Sequence, residues 1–201
     1  MTERQDIIGR EIGLNCIGCS IADGSYVPPG GIIRETENFM LHQDPEIPIK
    51  GFLIIPSKRC MKSISEMSES EATELVMLCR DARRALLSFE DIIRCDIIQE
   101  ERGHFHLWIF PVYKWMTDMF GDSLDHVRPI MRYAKENMKT EENIREILGC
   151  VERIRKCLSL REGSGLLGSG EDDALDTELF LEYKREDIDK EDAQNETVEF
   201  L

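Results

Sequence analysis

Apolar positions recur along this chain in two rhythms. Ile32 to Glu35 and Phe39 to His42 are short apolar runs around a turn at Glu37-Asn38, and both read as strands. Gly51-Phe52-Leu53-Ile54-Ile55-Pro56 is apolar on both faces and stopped by proline, the pattern of a buried strand. Cys95 to Glu100 and His104 to Phe110 read as two further strands, joined at a Glu101-Arg102-Gly103 hairpin signal. Elsewhere the period is helical. Leu75, Val76, Cys79, Ala82, Leu86 and Leu87 predict a helix over roughly 69–88, opened by a Ser68 to Glu71 capping box. Leu124, Val127, Met131, Ala134 and Met138 predict a second over about 122–138. A third starts at Thr140 and carries Ile144, Ile147, Leu148, Val151, Ile154 and Leu158 on one side. Residues 1–15 read as a helical or irregular lead-in, and 23–31 and 43–48 as loops. Strands interrupted by one helix and followed by helices predict an α+β fold, with an antiparallel sheet and a C-terminal helical extension.

Glycine and serine at 163–165 and 168–170 break the last helical pattern. The expected organisation is a domain over 1–115, a helical extension over 116–161 and a flexible or conditionally ordered tail over 162–201. That tail changes the meaning of the net charge. The 201 residues carry -15, but the tail holds 14 Asp+Glu against 3 Lys+Arg, which leaves the rest at only -4. The overall charge argues against a nucleic-acid polymer or an anionic membrane surface as partner, since both need a basic face. It leaves room for a local nucleotide pocket. No stretch reaches the roughly 18–20 apolar residues that cross a bilayer. Met1 to Asp6 has no apolar core of a secretory signal, so a cytoplasmic protein is expected. Seven cysteines are an odd number, which favours reduced thiols, some of them metal ligands, over a disulfide framework.

The chemistry concentrates in His104-Phe105-His106-Leu107-Trp108-Ile109-Phe110-Pro111. On a strand, His104, His106, Trp108 and Phe110 share one face, while Phe105, Leu107 and Ile109 turn to the core. Two histidines on one strand face serve as metal ligands, or as a nucleophile beside a phosphate. The plainer alternative is a surface strand with two incidental histidines among the four in the chain.

Cys16-Ile17-Gly18-Cys19, Glu35-Thr36-Glu37-Asn38-Phe39, Asp44, Lys50 to Pro56, Ser63 to Ala72 and His104 to Pro111 occur in an order and spacing that resemble the histidine triad superfamily. The resemblance covers about residues 14–113. It implies a HIT-like antiparallel sheet with one main helix packed on it. It also implies a nucleotide hydrolase or nucleotidyl transferase acting on an α-phosphate, such as that of a dinucleoside polyphosphate or nucleoside phosphoramidate. The middle histidine of the family motif is the nucleophile that forms a nucleotidyl-histidine intermediate, and it falls on His106. Neutral imidazole suits that role near neutral pH. The first histidine falls on His104, and the third on Trp108, which can neither accept a hydrogen bond nor shuttle a proton. A galactose-1-phosphate uridylyltransferase-like branch has glutamine there.

By the same resemblance Gln99 stands near a phosphate-contacting asparagine, and Gly103 offers a backbone N–H in a shortened loop. Glu100 and Glu101 in that loop would repel a phosphate unless Arg102 or a metal offsets them. Asp44 falls where the family binds the ribose hydroxyls, although a turn aspartate before Pro45 is the alternative. Lys114 is either a phosphate contact or an exposed lysine. Trp115 and Trp108 either stack a base or pack. His42 and His126 read as structural or surface residues. Family members with structural zinc place ligands at positions matching Cys16, Cys19, Cys60 and His104, a closed Cys3His set. Cys79, Cys95, Cys150 and Cys157 read as core. A homodimer is expected by resemblance. Two other function classes stay open: a nucleotide-binding scaffold that keeps fold and zinc without turnover, and a partner-binding protein built around the tail and C-terminal helices.

Overall fold

Five strands pair edge to edge in the computed structural model, which describes residues 4–13, 15–101 and 103–163, with side chains through 160. They are β1 (Ile32–Glu35), β2 (Met40–Gln43), β3 (Leu53–Pro56), β4 (Ile92–Gln99) and β5 (His106–Tyr113). All pairings are antiparallel, in the order β1-β2-β3-β5-β4, so β5 lies between β3 and β4. The helices are α1 (Ile17–Ala22), α2 (Glu69–Leu86), α3 (Lys114–Phe120), α4 (Val127–Asn137) and α5 (Glu141–Gly163). This is the α+β arrangement expected. The compact unit runs Met1–Leu160. The tail expected over 162–201, including Leu179-Phe180-Leu181, lies outside the described residues apart from helical backbone to Gly163.

Local chemistry explains most element ends. The Ser68 hydroxyl accepts the Glu71 N–H, and the Glu71 carboxylate accepts the Ser68 N–H, so the expected capping box opens α2. Glu71 also takes the Arg59 guanidinium at 2.6 Å, tying the segment after β3 to the helix start. That ion pair and the Ser68 N–H hold the Glu71 carboxyl down to about 2. The predicted helix at 122–138 divides into a 3-10 turn, Leu124–His126, and then α4. Pro129 fits in the first turn of α4, where its missing N–H has no intrahelical partner to lose. Short α1 and α3 escape a periodicity argument because neither completes two full turns.

The inner strands β2, β3 and β5 are buried on both faces. One face carries Leu53, Ile55, Leu107 and Ile109, joined in the core by Leu75, Leu78, Ala82 and Leu86 of α2. The opposite face carries His42, Ile54 and Trp108 in one cross-strand row, with Pro56 and His106 in a row beside it. Ile130, Met131 and Ala134 of α4, and Val151, Ile154 and Leu158 of α5, belong to the same buried cluster as the sheet. Arg155 of α5 donates to the carbonyls of Gly30 and Ile32 beside β1. Helices and sheet thus share one core. Among the described residues no helix is long and apolar enough to cross a membrane.

Gly51 opens the approach to β3 in the left-handed region, with φ of 71°. A Cβ there would stand 2.7 Å from Cδ2 of buried Leu86. Gly51→Ala is therefore expected to cost about 1–3 kcal/mol of unfolding free energy. Urea denaturation checks it: the midpoint should fall while the slope stays constant.

Candidate functional site

Strand β5 begins at His106, two residues later than the sequence suggests, and His104 sits in the bend before it. Alternation from there on is as expected. Trp108 and Phe110 both make edge contacts with Phe52, at ring distances of 5.7 and 5.0 Å. Phe105 and Ile109 are fully buried on the core side. Nδ1 of His106 lies 2.9 Å from the His104 carbonyl oxygen. A carbonyl only accepts, so Nδ1 carries the proton and Nε2 keeps its lone pair. His106 lines a cavity of about 410 Å3 together with Trp108, His42, Asp44, Gly103 and Arg128. That volume lies in the range of small-molecule sites.

A second cluster lies against this cavity. Cys16 caps α1, its sulfur accepting the Cys19 N–H at 3.4 Å, so the two thiols rise from one helical turn. Cys19 Sγ is 3.3 Å from Nδ1 of His104. The other ring nitrogen, Nε2, donates to the Ser57 carbonyl at 2.6 Å, which directs the Nδ1 lone pair at the cysteines. One ligand atom from each of Cys16, Cys19 and His104 comes within 4.8 Å of the others. Gly18 completes the fit, because a Cβ there would stand 2.5 Å from the His104 ring. Cys60 differs from the expected arrangement. It is exposed and stands outside the converged trio, although its thiol still acts on that of Cys19. Hydrogen bonding to Cys16, burial and the neighbouring Cys60 push the Cys19 thiol up to about 12. Three soft and borderline donors crowded this closely are compatible with zinc, whose charge offsets their mutual repulsion.

The remaining expected contacts divide. Asp44 lines the cavity with 8% of its surface exposed, and its Oδ1 accepts the N–H groups of Glu46 and Ile47, both at 2.8 Å. It is a turn aspartate and a cavity aspartate at once. Burial pushes its carboxyl up to about 6, against the lowering effect of those two N–H groups. Gln99 is a correction. It pairs with Leu107, so it points to the core face, away from His106. Its register across β4 and β5 explains this, and Gln99 does not line the cavity. Glu100 and Glu101 are each engaged, by Arg128 and by the Ser63 hydroxyl. Arg102 lies outside the described residues. Lys114 pairs with Asp118 in the next turn, and Trp115 packs on Tyr133 at 5.8 Å, so neither reaches the cavity. Cys79, Cys95 and Cys150 are buried and Cys157 half-buried, as core thiols.

Three cavity residues were not assigned to the site by the pattern of the sequence. His42, read as structural or surface, is 2% exposed and lines the cavity. Its Nδ1 donates to the Gln43 carbonyl at 2.7 Å, and its buried Nε2 has no protein partner among the described residues. Its spacing from Asp44, two positions along a strand, was the available signal. Arg128 and Lys135, seven apart on α4, also line the cavity. A basic stripe on one helix face was their signal.

Burial pushes His42 down to about 4, and nearby His106 adds to the effect, against the raising contribution of the Gln43 carbonyl. The unfolded chain takes up this proton near pH 6.5, the folded chain only near 4. Stability from this residue is therefore whole above the unfolded value and lost as pH falls through that window, by about 3 kcal/mol at its lower end. Urea midpoints between pH 7 and 4.5 should fall more steeply in the wild type than in His42→Phe.

No protein-family model matches the chain, and no curated protein matches it. Solved structures do. A hypothetical histidine triad nucleotide-binding protein from Sulfolobus tokodaii aligns over 76% of this chain and 100% of its own, with 17% identity and a TM-score of 0.52. A Hit-like protein involved in cell-cycle regulation from Bartonella henselae, solved with an unknown ligand, aligns over 71% of this chain and 96% of its own. Its identity is 13% and its TM-score 0.50. Likeness at such identities speaks to architecture, not to activity. With the five-stranded order, helix α2 on one face and His106 on the other, the chain has the histidine triad fold.

Proposed function

We propose that this protein is a nucleotide hydrolase or nucleotidyl transferase, with His106 as the nucleophile on an α-phosphate. The observation that carries the reading is the His106 ring. Its Nδ1–H is committed to the His104 carbonyl at 2.9 Å, which leaves a bare Nε2 on a residue lining a nucleotide-sized cavity. Nε2 attacks phosphorus, a P–N bond forms, and the bond to the leaving oxygen breaks with its electron pair. The Nδ1–H bond to the carbonyl steadies the positive charge then shared by the ring. Water attacks the adduct next. The P–N bond breaks, Nε2 recovers its lone pair, and the water proton passes to solvent.

Trp108 narrows the substrate. With no group at that position able to hand over a proton, the leaving group must depart as an anion. A phosphate chain does so readily near neutral pH, and an amine does not. A dinucleoside polyphosphate therefore fits better than a phosphoramidate. Asp44 serves the ribose hydroxyls through the oxygen its turn does not use, and Gly103 offers its N–H. A second reading is a nucleotide-binding scaffold without turnover, favoured by Gln99 facing away from the site.

Cys16, Cys19 and His104 would hold a structural zinc, with Cys60 as the fourth ligand. A zinc ion would supply a fixed anchor for His104, and through it for the carbonyl that orients His106. The expected homodimer and cytoplasmic location belong to the same reading.

Incubation with a diadenosine polyphosphate tests the enzyme reading. The wild type should show a nucleotidyl adduct by mass spectrometry and release nucleotide, and His106→Ala should show neither. Binding without adduct or product would reject catalysis and leave the scaffold. Metal analysis tests the zinc. Protein purified without chelator should carry about one zinc per chain. Cys19→Ala should lose it, and Gly18→Ala should weaken it by displacing the His104 ring. Metal near zero in the wild type would refute the site.

A further inference from the structure

A phosphate beside His106 needs a cation, and the described part of the loop before His104 carries the carboxylates of Glu100 and Glu101. Among the described residues, three cationic side chains line the cavity. Arg4 is committed to Glu46 through two bonds, at 3.1 and 2.6 Å, and Lys135 also pairs with Glu46, at 3.6 Å. Both serve the Asp44 end. Arg128 is placed differently. It comes from the first turn of α4, and its Cζ lies 4.8 Å from the centroid of the Trp108 ring. Trp108 is in turn 5.8 Å from the His106 ring. Glu100, at the end of β4, takes one Nη2 of the same guanidinium.

The stacking has a chemical consequence. A guanidinium held over an aromatic ring by its charge spends no N–H donor on that contact, so its donors remain available to acceptors. There are five of them, enough to keep Glu100 and still take two oxygens of a phosphate. Trp108, the residue that departs from the histidine pattern, is then a platform. It gives up proton transfer and positions a fixed cation.

We propose that Arg128, stacked on Trp108 and steadied by Glu100, is the phosphate-binding residue of this site, so that helix α4 forms part of it. The proposal rests on the reading of the cavity as a nucleotide site and names the contact that reads the phosphate chain. Fixed positive charge from α4 stands in for the donor that Gln99 does not provide and adds to the Gly103 N–H. Glu100 holds the guanidinium near the ring when no ligand is present and shares it when a phosphate arrives.

Calorimetric titration of the full chain with ADP, adenosine and inorganic pyrophosphate tests it. Arg128→Gln should weaken ADP and pyrophosphate about 10- to 100-fold and leave adenosine within about twofold. An equal loss for adenosine would make Arg128 a mere support for Trp108 and overturn the proposal. Unchanged ADP affinity would overturn it as well. Pyrophosphate binding lost in Arg128→Gln, with no adenosine binding in the wild type, would support the proposal while rejecting the nucleotide reading. A wild type that binds none of the three rejects both. Glu100→Gln is the second variant, independent of whether Arg128→Gln folds. It should tighten ADP about two- to fivefold by removing a like charge, and no change there counts against the proposal.

Discussion

Alternation along one central strand governs this site. Because β5 lies between β3 and β4, its side chains cannot reach the rim of the sheet and must go to one face or the other. Phe105, Leu107 and Ile109 go to the core and anchor the strand under α2. His106 and Trp108 are thereby committed to the opposite face, where only a covered, partly polar environment can receive them. Any slip of one residue in register would bury the histidine under the helix and expose the core. The stability of the fold and the presentation of His106 are therefore the same constraint.

Polar satisfaction does the fine placement. His104 donates from one ring nitrogen to Ser57 and turns the other toward Cys19, while its carbonyl accepts from His106. One residue thus joins the end of β3, the first turn of α1 and the His106 ring. Gly18 has no side chain for a steric reason: the His104 ring occupies that space. Disturbing the cysteine cluster should for this reason be felt at His106.

The electrostatics are assembled from distant parts of the chain. Acidic residues sit at the loop before His104 and at Glu46, and their partners are Arg128 and Lys135 on α4 and Arg4 near the N-terminus. The cavity therefore holds cations without the chain being basic. Two buried titratable groups face the same space with opposite pH dependence. His42 is kept neutral and loses stability toward acid, whereas Asp44 resists ionisation and loses it as pH rises between its ordinary value and about 6.

Local rules made a large part of this legible in advance. Strand β1, the α2 capping box, the two-faced pattern of His106 to Phe110 and the Cys-x-x-Cys spacing all depend on neighbours a few residues apart, and the sequence by itself determined them; the approach of His104 to those cysteines, 85 residues away, was decided by the tertiary structure. Short α1 and α3 were invisible because too few residues repeat for a period to show. Gln99 was misjudged because strand faces follow from cross-strand register, which a one-dimensional pattern does not contain. Cys60 fits the ligand set by position, yet only the path of the chain after β3 decides how near its sulfur comes. His42 and Arg128 gained their places through the sheet order and through α4 packing over Trp108. Contacts of that kind depend on where separate elements meet, and only burial of the whole core determines that.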